Sequence, residues 1–187
     1  MEIEKTTLPD VLVLKPRRFA DDRGFFQETW NRETLKTAGI DLDFVQDNHS
    51  LSRQTGTVRG LHFQRPPRAQ DKLVRVVRGR ILDVAVDARR DSLQFGKWVG
   101  VELTADNAWQ LLVPKGFLHG FITLEPDTEV LYKCTDTYAP DCDGSVFFAD
   151  PDLAIDWGLP PEQAILSDKD RKAQSWADFD TPFSLKD

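Results

Sequence analysis

An all-β fold, a sandwich or barrel-like jelly roll with a few short helices, is the class this sequence predicts, and three observations predict it. Apolar and polar residues alternate at period two through the middle of the chain. Glycine, proline and short polar clusters interrupt those runs at intervals of about 8–12 residues. Helix signals are few and short. A strand that buries one face needs a second sheet to cover it, so many short strands imply two packed layers. With 187 residues, 40% hydrophobic and 10% aromatic, the chain can bury one sizeable core and reads as a single domain over residues 1–187.

The elements follow in order. Asn31 caps a short helix that runs through Lys36 and stops at Gly39. Leu73, Arg75 and Val77 alternate with Val74 and Val76, and Ile81, Asp83 and Ala85 alternate with Leu82, Val84 and Val86, which makes two strands joined by a turn at Arg78-Gly79-Arg80. Gly96 to Leu103 is a further strand, Thr104 to Asn107 a turn, and Trp109 to Val113 the expected return partner. Glu129 to Thr135 and Ser145 to Phe148 continue the pattern, and Asp168 to Ala173 has room for a turn or two of helix. No repeat or linker interrupts this order. Edge strands in such a fold are a liability that pairing of two subunits removes, so a homodimer is expected.

Composition excludes several functions. No long uncharged apolar run exists, and the first ten residues carry Glu2, Glu4, Lys5 and Asp10 where a signal peptide needs an apolar stretch. Neither a membrane span nor export is expected. Cys134 and Cys142, the only cysteines, are too few for a disulfide scaffold and lack zinc-ribbon spacing, which fits a cytoplasmic protein with two free thiols. A net charge of −7 argues against nucleic-acid binding through phosphates. Residues 53–90 nevertheless hold ten basic side chains against three acidic ones. That stretch either gathers a small anionic ligand or forms a solvated sheet face.

The rare residues point to chemistry. Three histidines exist, His49, His62 and His119, each in a polar or glycine-flanked stretch, and two tyrosines, Tyr132 and Tyr138, in one short segment. His62 and His119 on facing strands would both reach the mouth of a barrel. A transition metal needs three or more protein ligands, and the positions two before and two after His62 are Gly60 and Gln64, so no metal site is expected. Acid–base work uses the same residues better. A carboxylate on the far ring nitrogen would make His62 a general base near neutral pH; Asp170 is one candidate among 31 acidic residues. Lys72 offers a cation for a developing oxyanion and Tyr132 a phenol that returns a proton; their plain structural readings are a surface salt bridge and a ring at the core edge. Arg23 beside Gly24 and Arg59 beside Gly60 suit phosphate oxygens approached closely by backbone.

Together, Arg23 to Glu28, Gln46 to Ser50, Arg59 to Gln64, Gln70 to Val77, Asp83 to Asp87, Pro114 to Phe121, Leu131 to Thr135, Asp150 to Trp157 and Leu166 to Asp170 resemble, in order, one family: the dTDP-4-dehydrorhamnose 3,5-epimerases of the cupin superfamily. The resemblance implies a cupin-type jelly roll (a double-stranded β-helix), a dTDP-4-keto-6-deoxyhexose substrate, no metal or other cofactor, and a homodimer that exchanges N-terminal strands. It implies His62 as base with Asp170 as its orienting partner, Tyr132 as acid on the other face, and Lys72 near the sugar carbonyl. Arg23 and Arg59 would hold the diphosphate, with His119 on the sugar side. Phe19, Glu28, Gln46, Asn48 and Tyr138 would line the thymidine end, and Asp47, Asp143 and Lys169 would add substrate contacts. Leu118, Asp143 and the run Phe147-Phe148-Ala149 depart from the family pattern. Inversion at one carbon only, a metal-dependent cupin and a noncatalytic sugar-nucleotide binding module stay open as alternatives.

Overall fold

The computed structural model describes residues 1–186. Among these, the elements run β1 (Glu2–Lys5), β2 (Leu12–Lys15), β3 (Arg18–Asp21), β4 (Gly24–Gln27), α1 (Arg32–Thr37), β5 (Gln46–Ser52), β6 (Val58–Gln64), β7 (Lys72–Arg78), β8 (Arg80–Asp87), β9 (Trp98–Thr104), β10 (Gln110–Val113), β11 (Phe117–Thr123), β12 (Thr128–Cys134), β13 (Asp143–Ser145) and α2 (Asp168–Arg171). Six strands in the order β1-β2-β10-β7-β12-β5 face five in the order β13-β6-β11-β8-β9, and β3 and β4 form a separate hairpin. The jelly-roll expectation holds. No helix among the described residues is long and apolar enough to cross a membrane.

Three apolar clusters follow from the alternation. Inward residues such as Val74, Val76, Ile81, Ala85, Phe117 and Val130 fill the space between the sheets. The outward residues of β6, β8 and β11, including Leu61, Val84, Val86, Leu118 and Ile122, are covered by the C-terminal arm through Phe148, Trp157, Phe179 and Phe183. Leu14, Leu73 and Leu112, on the outer face of the larger sheet, are capped by Leu35 of α1 with Trp30 and Phe44. Each sheet is therefore apolar on both faces over part of its area, which explains why Leu73 is buried although it alternates with Val74. Asn31 caps α1 by accepting from Thr34 N at 3.1 Å, as its position predicts.

Two expectations about strands need correction. Residues 110–113 do not return along β9; β10 pairs with β2 and β7, whereas β9 pairs only with β8. Asn107 Oδ1 accepts from Thr104 N and Trp109 N, and Ala108 takes φ +56°, so the tight turn sends the chain across to the other sheet. The strand expected at Ser145–Phe148 lies earlier, at Asp143–Ser145, because Phe148 turns away to pack with Trp157 and Phe147 packs edge-on against Phe148. The basic stretch is mostly neither a ligand cradle nor a free face. Arg53, Arg68, Arg80 and Arg89 pair with Asp127, Asp136, Glu125 and Asp87, and only Arg59 and Lys72 of the ten reach the main cavity.

Candidate active site

A cavity of about 370 Å³ opens between the sheets, and a second hollow of about 320 Å³ adjoins it; both are lined by His62, Lys72 and Tyr132. His62 comes from β6 of the smaller sheet. Lys72 and Tyr132 come from β7 and β12 of the larger one, so acid and base candidates stand on opposite walls. His62 and His119 are not on facing strands as expected: they are cross-strand partners in one sheet.

A bulge decides which way His62 points. The β6–β11 register pairs His119 with His62 but Phe121 with Arg59, so one extra residue of β6 is absorbed between them. In an uninterrupted strand Arg59 and His62, three apart, would face opposite ways. Here both line the cavity, while Val58, Leu61 and Phe63 point to the outer core. Gly60 supplies the bend with φ +130°, and its Cα is pressed against the β11 backbone at Gly120.

His62 Nε2 lies 2.5 Å from Asp170 Oδ1, leaving Nδ1 as the ring nitrogen for the cavity. Ser167 caps α2 and places this carboxylate: its Oγ accepts from Asp170 N at 3.1 Å and donates to Asp170 Oδ2 at 2.8 Å. Burial raises the Asp170 pKa, but the His62 bond, the His62 charge and Ser167 outweigh it, and the net shift is downward. A carboxylate with a lowered folded pKa stabilises the fold fully above its unfolded titration range and loses that contribution as pH falls through its folded pKa. Asp170→Asn is therefore expected to flatten the fall of the urea midpoint on acidification below about pH 5. Parallel curves for the variant and the parent would contradict the assigned ion pair.

Desolvation pulls the Lys72 pKa down, resisted by the charges of Cys134, Asp143 and Asp83 and reinforced by Lys169. Desolvation pushes Tyr132 up, as does Cys134, with Arg59 opposing. The phenol therefore stays protonated at neutral pH, as an acid must. Neither is merely the surface salt bridge or core-edge ring of the plain reading. His119 is buried, its Nε2 2.7 Å from Asp83 Oδ1.

The remaining expected residues divide into groups. Gln46, Asn48, Tyr138, Asp143 and Lys169 line the second hollow. Gln46 Oε1 accepts from Tyr138 N at 2.9 Å, Gln46 Nε2 donates to Asn48 Oδ1 at 3.1 Å, and Lys169 pairs with Asp143, whose Oδ2 also accepts from the Tyr138 hydroxyl at 3.4 Å. Asp47 lines neither hollow of this chain: the period of β5 turns its side chain away from Gln46 and Asn48, and it pairs with Lys133 at 3.0 Å. Phe19, Arg23 and Glu28 do not join the cavity within one chain. Phe19 and Arg23 sit on the exposed β3–β4 hairpin, Arg23 against Asp21, and Glu28 accepts from Asn31 Nδ2. Of the departures, Leu118 is buried in the outer core.

Sequence reasoning missed Ser167, Asp83 and Gln64. Ser167 carried a signal, the Ser-x-x-Asp spacing before a short helix. Buried Gln64 donates to the Arg68 and Thr137 carbonyls and accepts from Ala139 N, pinning the loop that bears Tyr138; nothing in the sequence announces that. Among the described residues, no group of three or more His, Cys, Asp or Glu side chains is placed to hold a metal ion.

Comparison with known proteins bears on this geometry. A family model described as dTDP-4-dehydrorhamnose 3,5-epimerase matches residues 5–178. The dTDP-4-dehydrorhamnose 3,5-epimerase of Shigella flexneri is 46% identical over 181 residues, covering 96% of this chain and 98% of its own. A crystal structure of the Bacillus anthracis str. Ames enzyme, with TDP and PPi bound, superposes with TM-score 0.90 at 50% identity, covering 93% and 98% of the two chains. A Legionella pneumophila Philadelphia 1 structure in complex with dTDP-4-keto-L-rhamnose gives TM-score 0.91 at 44% identity, covering 96% and 94%.

Proposed function

Because the chain belongs to the dTDP-4-dehydrorhamnose 3,5-epimerase family, we propose that His62, Asp170, Lys72 and Tyr132 carry out its reaction, the inversion of C3 and C5 of dTDP-4-dehydro-6-deoxy-D-glucose to dTDP-4-dehydro-L-rhamnose. The observation that supports these roles is the shared cavity, with a carboxylate-held imidazole on one sheet and a protonated phenol on the other.

The 4-keto group acidifies the C–H bonds on both neighbouring carbons. His62 Nδ1 takes the proton from C3 or C5, and the C–H electron pair becomes the enolate, with charge on the C4 oxygen. Asp170 stabilises the imidazolium so formed and holds its tautomer. Lys72 faces the oxyanion. Tyr132 protonates the same carbon from the opposite side, which inverts it; the imidazolium then gives its proton to solvent and the phenolate takes one from solvent, so both groups are restored. No electron leaves the substrate, so the chemistry calls for no nicotinamide, and the Lys72 ammonium supplies positive charge at the oxyanion.

Arg59, at the cavity wall, suits the diphosphate, and the second hollow with Tyr138 suits the thymidine end. A homodimer supports the remaining contacts: the hairpin exposes Phe19, Phe25 and Phe26 with Arg23, and a second copy would bring Phe19, Arg23 and Glu28 to the cavity. Two free thiols fit a cytoplasmic setting.

Proton NMR of substrate in heavy water tests the roles. The parent enzyme is expected to wash deuterium into C3 and C5 and form the L-rhamno product. Tyr132→Phe is expected to slow inversion about 10²-fold or more while proton loss, seen as exchange with retention, falls far less. Equal slowing of both would give the ring a positioning role and remove it as the acid.

A further inference from the structure

Among the buried ionisable groups that the mechanism above leaves unused is a carboxylate bonded to a cavity histidine. Asp83, on the inward face of β8, is fully shielded from solvent. Its Oδ1 accepts from His119 Nε2 at 2.7 Å, and its Oδ2 is buried without a hydrogen-bond partner among the described residues. A half-satisfied buried carboxylate is costly and persists where its charge serves a neighbour. The neighbours here are cavity groups: His119 lines the cavity, and Asp83 stands after Cys134 and Asp143 among the groups whose charge favours the cationic form of Lys72.

We propose that Asp83 is a positioning residue for this reaction, a buried counter-charge that holds His119 with Nε2 protonated and Nδ1 toward the sugar and keeps Lys72 cationic opposite the ketone oxygen. The inference rests on the epimerase reading of the cavity. Asp83 touches no reacting atom; it acts through His119 at the cavity wall and Lys72 opposite the ketone oxygen. Its work differs from that of Asp170. Asp170 serves a histidine that must gain and lose a proton, whereas Asp83 serves groups whose protonation must not change while the enolate forms.

Other charges also bear on Lys72. Cys134 and Tyr132 of β12, His62 and Arg59 of β6, His119 of β11, Asp143 of β13, and Lys169 and Asp170 of α2 line the same two hollows. Lys169 opposes the cationic state of Lys72 and is itself paired with Asp143. Asp83 and Asp170 are the buried carboxylates around Lys72, and of the two Asp170 is committed to His62.

Asp83→Asn preserves shape and the acceptor for His119 but removes the charge, and the deuterium exchange rate at C3 and C5 is measured against pH. The parent's own exchange checks the epimerase reading first; if the parent exchanges nothing, that reading fails independently of Asp83. With an active parent, the variant is expected to lose about 10- to 100-fold in kcat at neutral pH with KM little changed. Its alkaline limb should move to lower pH, because an ammonium without its counter-charge deprotonates more easily. An unchanged rate, or a loss with the alkaline limb in place, would overturn the proposal. Should the variant not fold, the His119 ring nitrogens of the parent decide by ¹⁵N NMR: Nε2 protonated across pH 6–9 is expected, and Nδ1–H with bare Nε2 would overturn it.

Discussion

His62→Ala is expected to abolish proton exchange at both C3 and C5, a loss of about 10²- to 10⁴-fold or more from removal of the general base, while dTDP still binds. The two effects separate because Arg59 and Tyr138, which suit the nucleotide, are held by bonds that do not involve the imidazole: Arg59 donates to Ser52 Oγ and the Leu51 carbonyl, and Tyr138 N to Gln46 Oε1. Asp170 loses one partner but keeps both bonds to Ser167, so a stability cost of about 1–3 kcal/mol is expected, small enough to leave the fold intact. Two measurements decide: deuterium incorporation into substrate by NMR, and dTDP titration by calorimetry. Exchange at the parent rate in His62→Ala would transfer the base role elsewhere. Loss of dTDP binding together with exchange would instead make His62 a structural post of the whole cleft.

The second large effect falls on stability. Gly60→Ala would set a Cβ 2.5 Å from Gly120 Cα and 2.8 Å from the His119 carbonyl oxygen, both backbone, at φ +130°. A side chain at such a φ costs about 1–2 kcal/mol, and overpacking against immovable backbone costs about 1–3 kcal/mol more, so roughly 3 kcal/mol or above is expected. Gly24→Ala is an internal reference: its φ is +125°, but nothing lies within 4 Å of the added Cβ. Only the backbone share of the penalty should appear there. Urea unfolding of the two variants side by side tests the argument, and equal midpoints would show that close packing of β6 on β11 is not what Gly60 provides. Because Gly60 lies in the bulge that turns Arg59 and His62 the same way, surviving Gly60→Ala protein is also expected to exchange substrate protons poorly.

Much of this molecule was legible in one dimension. Strict alternation from Leu73 to Val86 marks β7 and β8, and Asn31 marks the start of α1, because strand faces and helix caps are local properties written in neighbouring residues. The motifs around His62 and His119 identify the catalytic candidates. Local rules failed where the chain changes sheet. The tight turn at Thr104–Asn107 looks the same whether its strands pair or part, and β9 and β10 part. At Asp47 the local rule holds: alternation along β5 turns its side chain away from the second hollow that its neighbours Gln46 and Asn48 line.

From residue order and composition came the two-layer β architecture, the family, and the acid–base residue types, since periodicity and short motifs depend only on what stands next to what. Assembly of the site belonged to the three-dimensional fold. Asp170 lies 108 positions from His62 and Asp83 lies 36 from His119, and nothing nearby along the chain selects either carboxylate from the others. A bulge at Gly60, a capped turn at Ser167 and the antiparallel register of β6, β11 and β8 bring them within hydrogen-bond reach, because partners so distant in sequence are chosen by how whole sheets pack and not by local preference.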